Sequence, residues 1–234
     1  MGEGIVDERC GRWNRHNGIE LAQALDKMLG RSPLVADVGA YKGDFFSCIL
    51  ALRPDARIHA FEPIPRRARK LAKAFKEIRA VTVYPVALGE VNATASLHVT
   101  KANTLSSLLQ PTRDGMHRHG ERLDVIDSVD VPVRRLEDCQ AFTDAFDDGP
   151  LDVMKIDVQG GELDVLQGAG KVLASTRLLV IEMSEEVTYQ GQPLVSHLDS
   201  YVRGQGFVRH GIYESDTPTI VRSGKDAIYV NLAF

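Results

Sequence analysis

The chain has 234 residues, with 28 Lys and Arg against 32 Asp and Glu and a net charge of −4, a balance that argues against a general nucleic-acid binder. Its length suits one large domain or two small ones, able to bury roughly 70% of the unfolded surface without added staples. No apolar run approaches the ~18 residues that span a bilayer, and the polar N-terminus does not read as a signal peptide, so a soluble, cytoplasmic protein without a membrane partner is expected.

Residues 1–16 carry Trp13 but no periodicity, and read as a tail or as an arm folding over a site. Asn17 and Glu20 have capping-box spacing, and Ile19, Ala22, Leu25 and Met28 or Leu29 recur at helical intervals until Gly30, so an amphipathic helix completes an N-terminal unit over residues 1–33. Cys10, Cys48 and Cys139 are odd in number and far apart, without a C-x-x-C pair. Neither a disulfide framework nor a zinc site is indicated, and a reducing compartment fits.

The apolar run from Leu34 ends on Asp37 and enters a turn with glycines at Gly39 and Gly43. A buried strand leading into such a turn lets backbone N–H groups and the next helix's positive end approach a polar ligand. Asp44 is placed to cap that helix, which runs through Leu52 before Pro54. A second strand, Arg57–Phe61, closes on Glu62, 19 residues after Gly43, close to the ~20-residue interval at which an acid reaches a ribose in nucleotide-binding α/β folds. Tyr41 stands where a pyrophosphate-gripping loop has its second glycine, which favours a nucleoside ligand without phosphates such as S-adenosylmethionine.

Pro63 and Pro65 pre-set a helix with Ala68, Leu71, Phe75 and Ile78 on one face; its Arg and Lys run reads as a solvated face. Val81–Glu90 reads as a third strand and turn, interrupted at Pro85, and ATASLHV as an extra strand. Lys101–Ser128 is polar and irregular, a lid insertion or disorder. After the short strand in VDVPVRRLED, the run LDVMKIDVQGGELDVLQGA is a doubly buried strand turning into a helix, and RLLVIEMS a further strand closing at Glu182. FVRHGIY and DAIYVNLAF are separated by too short a link for a parallel crossover of about a dozen residues, so they form an antiparallel pair. The predicted fold is α/β: a Rossmann-like, doubly wound, mainly parallel seven-stranded sheet over residues 34–234, with a C-terminal antiparallel strand pair.

DVGAYKGDF, HAFEP and above all MKIDVQGGELDVLQGA followed by VIEMS resemble the FkbM family of class I S-adenosylmethionine-dependent methyltransferases, over roughly Leu34 to Glu185. The resemblance implies that Asp37, Gly39, Ala40, Tyr41 and Gly43 surround the methionine part of the cofactor, that Glu62 meets its ribose, and that Ala87 and Leu88 border its adenine. It also places Asp157 beside the cofactor turn, and implies a small-molecule hydroxyl, of a sugar or natural product, as methyl acceptor. Tyr41 replaces the family's usual asparagine and Gln159 its frequent glutamate.

Methylating an alcohol needs the acceptor held ~3–3.5 Å from the methyl carbon and relieved of a proton, by a base or by a metal that lowers its pKa. Asp157 and Glu182 end neighbouring strands and are the candidate catalytic pair, with Glu162 as third acid; the alternative for Glu162 is a complement to a helix dipole. A divalent metal on Asp157 and Glu182 lacks a clear third ligand and is not indicated. His117 and His119 fall in the polar segment; they read either as lid residues entering the site or, as is more frequent for lone histidines in polar loops, as solvated side chains. The alternatives are a nicotinamide oxidoreductase and a nucleoside-binding module without chemistry.

Overall fold

The computed structural model describes residues 10, 13, 19–146, 149–213 and 224–234; Asn17, half of the expected capping box, lies outside them. In chain order the regular elements are α1 Ile19–Met28, β1 Leu34–Val38, α2 Asp44–Leu52, β2 Arg57–Phe61, α3 Pro65–Ala74, β3 Val81–Tyr84, β4 Ala87–Leu88, β5 Ala93–Thr100, α4 Arg113–His119 and β6 Val125–Arg134. They continue with α5 Gln140–Phe146, β7 Leu151–Ile156, α6 Glu162–Gly168, α7 Lys171–Ala174, β8 Thr176–Ser184, α8 Val195–Gly204, β9 Phe207–Tyr213 and β10 Gly224–Asn231. Among the described residues no helix is long and apolar enough to cross a membrane.

Seven strands form one sheet in the order β3-β2-β1-β7-β8-β10-β9. The first five in that order run parallel, and β10 lies antiparallel to both of its neighbours, as the short link predicts. Alternating side chains feed two cores. Leu34, Ala36, Val38, Met154 and Ile156 pack on one face, with α6, α7 and α8; Val35, Ile58, Val153, Val180 and Ile228 pack on the other, with α1 and α2. Two positions beyond Val35 and Val153 on that second face come Asp37 and Lys155, which are register partners. Two beyond Val180 comes Glu182, opposite Asp226 of β10. The apolar rows of this face therefore end in a row of charges at the edge where the parallel strands finish.

A smaller sheet, β4-β6-β5, covers that edge, with Leu97, Val131 and Val133 as its core. The expected third strand divides at Pro85, which has no N–H to continue a ladder: β3 stays in the large sheet while β4 joins β6. The segment read as irregular, Lys101–Ser128, is instead built from 3₁₀ turns at Asn103–Leu105 and Gly120–Leu123, from α4, and from the first residues of β6. Each piece is too short to show a period. Ile78 lies beyond the end of α3 and is 42% exposed. Gly43, in the left-handed region, caps α2 in place of Asp44, which is the first helical residue.

The expectation that no disulfide forms is overturned. Cys10 and Cys48 of α2 are bonded and buried, while Cys139 keeps a free thiol. A separation of 38 positions carries no pairing signature; what joins arm and helix is the edge of Trp13 against Phe45, ring centres 5.2 Å apart. Such a bond also removes the cysteine argument for a reducing cytosol. In denaturant without reductant one thiol per chain should titrate, and three would contradict the pairing. Cys10→Ser should lower stability by about 3–4 kcal/mol, the range set by a loop of this length, read from urea unfolding.

Candidate active site

β1 delivers the chain into a turn that only a few residues tolerate. Gly39 has φ +84°, and a Cβ there would sit 1.9 Å from the Asp157 carbonyl oxygen, so the turn and the end of β7 touch through bare backbone. The N–H groups of Gly39 and Ala40 both donate to the Phe61 carbonyl at 3.0 Å, locking the turn to the end of β2. Tyr41 is left-handed at φ +51° without being glycine, a conformation that costs an L side chain energy. Its N–H donates to Glu62 Oε2 at 3.0 Å, and its ring lies 5.1 Å from both the Lys42 ammonium and the Arg67 guanidinium.

Glu62 is 3% exposed, and its other oxygen accepts the Ile64 N–H at 2.9 Å. Two of its roughly four acceptor positions remain. Burial raises its pKa, and the Ile64 N–H, Arg67 and the Tyr41 N–H oppose that rise. Asp37 is buried with neither carboxyl oxygen in a hydrogen bond of normal geometry among the described residues. Burial foremost, with Asp157 and Glu62 adding to it, raises its pKa to about 6 against the pull of Lys155.

Lys155 Nζ lies 2.9 Å from Asp157 Oδ2. Burial acts to neutralise Lys155, but the Asp157 and Asp37 charges outweigh it and hold the ammonium charged. Burial likewise disfavours the Asp157 carboxylate, yet Lys155 and hydrogen bonds from Glu182, Lys155 and Gln159 bring its pKa down to about 2. The Gln159 amide, on a second left-handed residue at φ +61°, donates to Asp157 Oδ1 at 2.8 Å and also to Glu182. Burial and the neighbouring Asp157 and Asp226 push Glu182 well above the carboxylate range. Asp157 is thus the charged member of the pair and Glu182 the protonated one.

These groups meet in one cavity of about 690 Å³, within the ~300–1,000 Å³ of small-molecule sites. Of the sequence-predicted residues, Asp37, Gly39, Ala40, Tyr41, Glu62, Ala87, Leu88, Asp157 and Glu182 line it. Gly43 and Glu162 do not. Gly43 serves as the cap of α2, and Glu162 folds back to accept the Val158 and Gly160 N–H groups at 3.0–3.2 Å, bracing the turn behind Asp157. Among the described residues no group of three or more His, Cys, Asp or Glu side chains is arranged to hold a metal ion.

The sequence reading left Lys155 unmentioned, took Arg67 as part of a solvated face and His119 as solvated, and put Trp13 in a tail or arm; all four line the cavity. Lys155 had a visible signal, a charge within an otherwise apolar strand that demands a partner. Arg67 had none within its basic run, yet it turns inward to Asn103 and Ser106 at 2.8 and 3.2 Å. Glu62 and Asp37 both lie at the cavity as buried groups rather than exposed hooks, and Glu62 is tied into the turn.

Burial dominates at Glu162, whose pKa rises from 4.5 to about 7. A raised carboxyl pKa gives stability that is fully present below pH 4.5 and lost as pH rises through 7. Glu162→Gln, which mimics the protonated acid, should flatten that decline, worth on the order of 3 kcal/mol between pH 4.5 and 7.5. Urea unfolding at those two pH values checks it; an unchanged slope would show that Glu162 is not the group titrating.

The chain matches the model of the Methyltransferase FkbM domain over residues 37–209. It is 29% identical over 177 residues to the 2-O-methyltransferase NoeI of Sinorhizobium fredii, an alignment covering 71% of this chain and 70% of NoeI. Two solved structures share the fold. Aeropyrum pernix fibrillarin is 14% identical with a TM-score of 0.51, covering 90% of this chain and 74% of that one. An rRNA methylase from Streptococcus thermophilus is 12% identical with a TM-score of 0.51, covering 91% and 95%. With the family model spanning most of the sheet and both strands that carry the acidic pair, the chain belongs to the FkbM methyltransferase family.

Proposed function

We propose that this protein is an S-adenosylmethionine-dependent O-methyltransferase acting on a hydroxyl of a small molecule, a sugar or a natural product. The observation that carries this reading is one cavity lined by the Gly39 turn, the buried Asp37, Glu62 and the Asp157–Glu182 pair. Those features fit the cofactor. The bare backbone at Gly39 lets the turn close against the end of β7, Asp37 stands buried beside it under the pull of Lys155, and Glu62 retains acceptor capacity for hydroxyls. Asp37, Gly39, Ala40 and Tyr41 would hold the methionine part, Glu62 the ribose, and Ala87 and Leu88 the adenine. The cofactor supplies an electrophilic methyl carbon on a sulfonium.

The chain's own residues then have to bind and orient the acceptor. Asp157, kept ionised by Lys155, and Glu182, kept protonated with its O–H given to Asp157, both offer acceptor oxygens to the hydroxyls of the substrate. Together they orient a polyhydroxylated acceptor better than they deprotonate it, because one is a very weak base and the other already holds its proton. Gly43 and Glu162 act from behind, by fixing the two turns. A cavity of this size in a chain of net charge −4 favours a small acceptor over nucleic acid.

Thermal unfolding with S-adenosylhomocysteine, S-adenosylmethionine and NADH in parallel tests the cofactor. At about 100 times the dissociation constant the sulfur nucleosides should raise the midpoint by roughly 5–10 °C, Glu62→Ala should abolish that rise, and NADH should give none. A rise with NADH alone would overturn the reading. Release of S-adenosylhomocysteine with a panel of methyl glycosides, and separately with RNA, tests the acceptor; methylation of RNA alone would defeat the small-molecule assignment.

A further inference from the structure

Charge is unevenly placed along this chain. Of its 28 Lys and Arg, seven fall within residues 66–79 beside a single acid, Glu77, leaving 21 against 31 acids elsewhere. Six of the seven, Arg66, Arg69, Lys70, Lys73, Lys76 and Arg79, are exposed on α3 and the turn after it. We propose that this basic face is a docking surface for an anionic lipid bilayer, on which the chain rests without crossing it.

A solvated helix face ordinarily mixes signs, with acids placed three or four residues from bases. α3 does the opposite. Arg66 and Arg69, Arg66 and Lys70, Arg69 and Lys73, and Lys70 and Lys73 are like-charged pairs at those spacings, an arrangement that opposes the helix. Its first turn holds Arg66 and Arg67 and no acid, against the sign that the helix dipole favours there. Among the described residues only Lys76 of the exposed six has an ion pair, with the neighbouring Glu77 at 3.4 Å. The cations are held together without a counter-charge from the chain, and an anionic surface supplies one.

Shape and residue type choose among polyanions. The helix is convex and runs about 14 Å from Pro65 to Ala74, too open to enclose a free phosphate. Its exposed face carries no aromatic ring, since Phe75 packs against the second core. Single-stranded nucleic acid, which is gripped by stacking on rings, finds charge there but no platform. Lipid headgroups need only charge, and roughly four to eight cations clustered on a helix suit them. Ile78, 42% exposed, stands between Lys76 and Arg79, an apolar side chain that gains by entering the headgroup layer. Leu71, on the reverse of α3, is buried in the second core, so docking leaves the fold as it is. Arg67, on the same helix, lines the cavity, and the docked face therefore adjoins the site.

Sedimentation of the full chain with vesicles tests this without turnover, so a failure leaves the methyl-transfer reading standing. Vesicles of phosphatidylcholine with about one-third phosphatidylglycerol should retain the chain at low salt, and pure phosphatidylcholine should not. Retention should fall steeply as salt rises toward ~0.5 M, where screening is short-ranged. Lys70→Gln combined with Lys73→Gln should weaken binding roughly 25-fold, about fivefold per cation. The thermal midpoint of that variant should match the parent's, because both side chains are exposed and glutamine keeps the helix. Lys171→Gln, at an exposed cation of α7 on the other face of the sheet, should stay within about twofold of the parent. Equal retention on neutral vesicles, no retention on anionic ones, or a double variant within roughly threefold of the parent would each overturn the proposal. So would capture of single-stranded RNA by a chain that no anionic vesicle retains.

Discussion

One buried ammonium governs the functional edge of this sheet. Lys155 is 5% exposed and electrostatically coupled to Asp157, Asp37 and Asp226, with Glu182 bonded to Asp157 and facing Asp226 across the β8–β10 pair. Full ionisation of closely placed carboxyls around the Lys155 ammonium would leave uncompensated charge in a medium where such charge is expensive. The cluster answers by retaining protons, on Glu182 and partly on Asp37. A buried pair of this kind is weak evidence for stability as such, but removing one partner typically costs ~3–5 kcal/mol because the other charge is stranded. The distribution of protons on the cavity floor is thus a consequence of strand register. Asp37 pairs with Lys155 and Glu182 with Asp226 because the strands align that way.

That dependence on register explains what the sequence disclosed and what it hid. β2 was legible to the residue and β1 to within one, because an uninterrupted apolar run ending in a turn or an acid is a local pattern. The mainly parallel sheet followed from helix-bearing crossovers, and the antiparallel pair from one short link. Asp226 was invisible as part of the floor, since nothing near it in the chain distinguishes it from a surface acid; only β10 lying antiparallel to β8 brings it to Glu182. Arg67 and the Cys10–Cys48 bond belong to the same class, meetings of distant segments without a local signature. His119 was misread for a different reason. Its helix is seven residues long, too short for periodicity to separate its buried side from the side that exposes His117.

The two residues that depart from the family's usual choices, Tyr41 and Gln159, are also the two non-glycine residues with positive φ among the described residues. Asparagine enters that region more readily than tyrosine, so Tyr41 needs compensation. It finds it in the Glu62 hydrogen bond and in the cations flanking its ring. At Gln159 the exchange of carboxylate for amide changes the electrostatics directly. An ionised glutamate there would add another negative charge to a floor already short of cations, and could donate to neither neighbour. The amide donates to both Asp157 and Glu182.

The same residue ties floor to roof. The Gln159 carbonyl accepts the Ser107 hydroxyl at 2.6 Å, while Tyr189 donates to the Leu105 carbonyl at 2.8 Å and Arg67 holds Asn103 and Ser106. The segment 103–109 is therefore anchored from three sides: the turn after β7, the loop after β8, and α3. Because Gln159 bonds to the acidic pair through its side chain and to the roof through its backbone, any displacement of the roof is transmitted to that pair. The position of the covering segment and the electrostatics at the strand ends are linked, in this fold, through one residue held in a strained conformation, and strain of that kind persists only where surrounding contacts over-determine it.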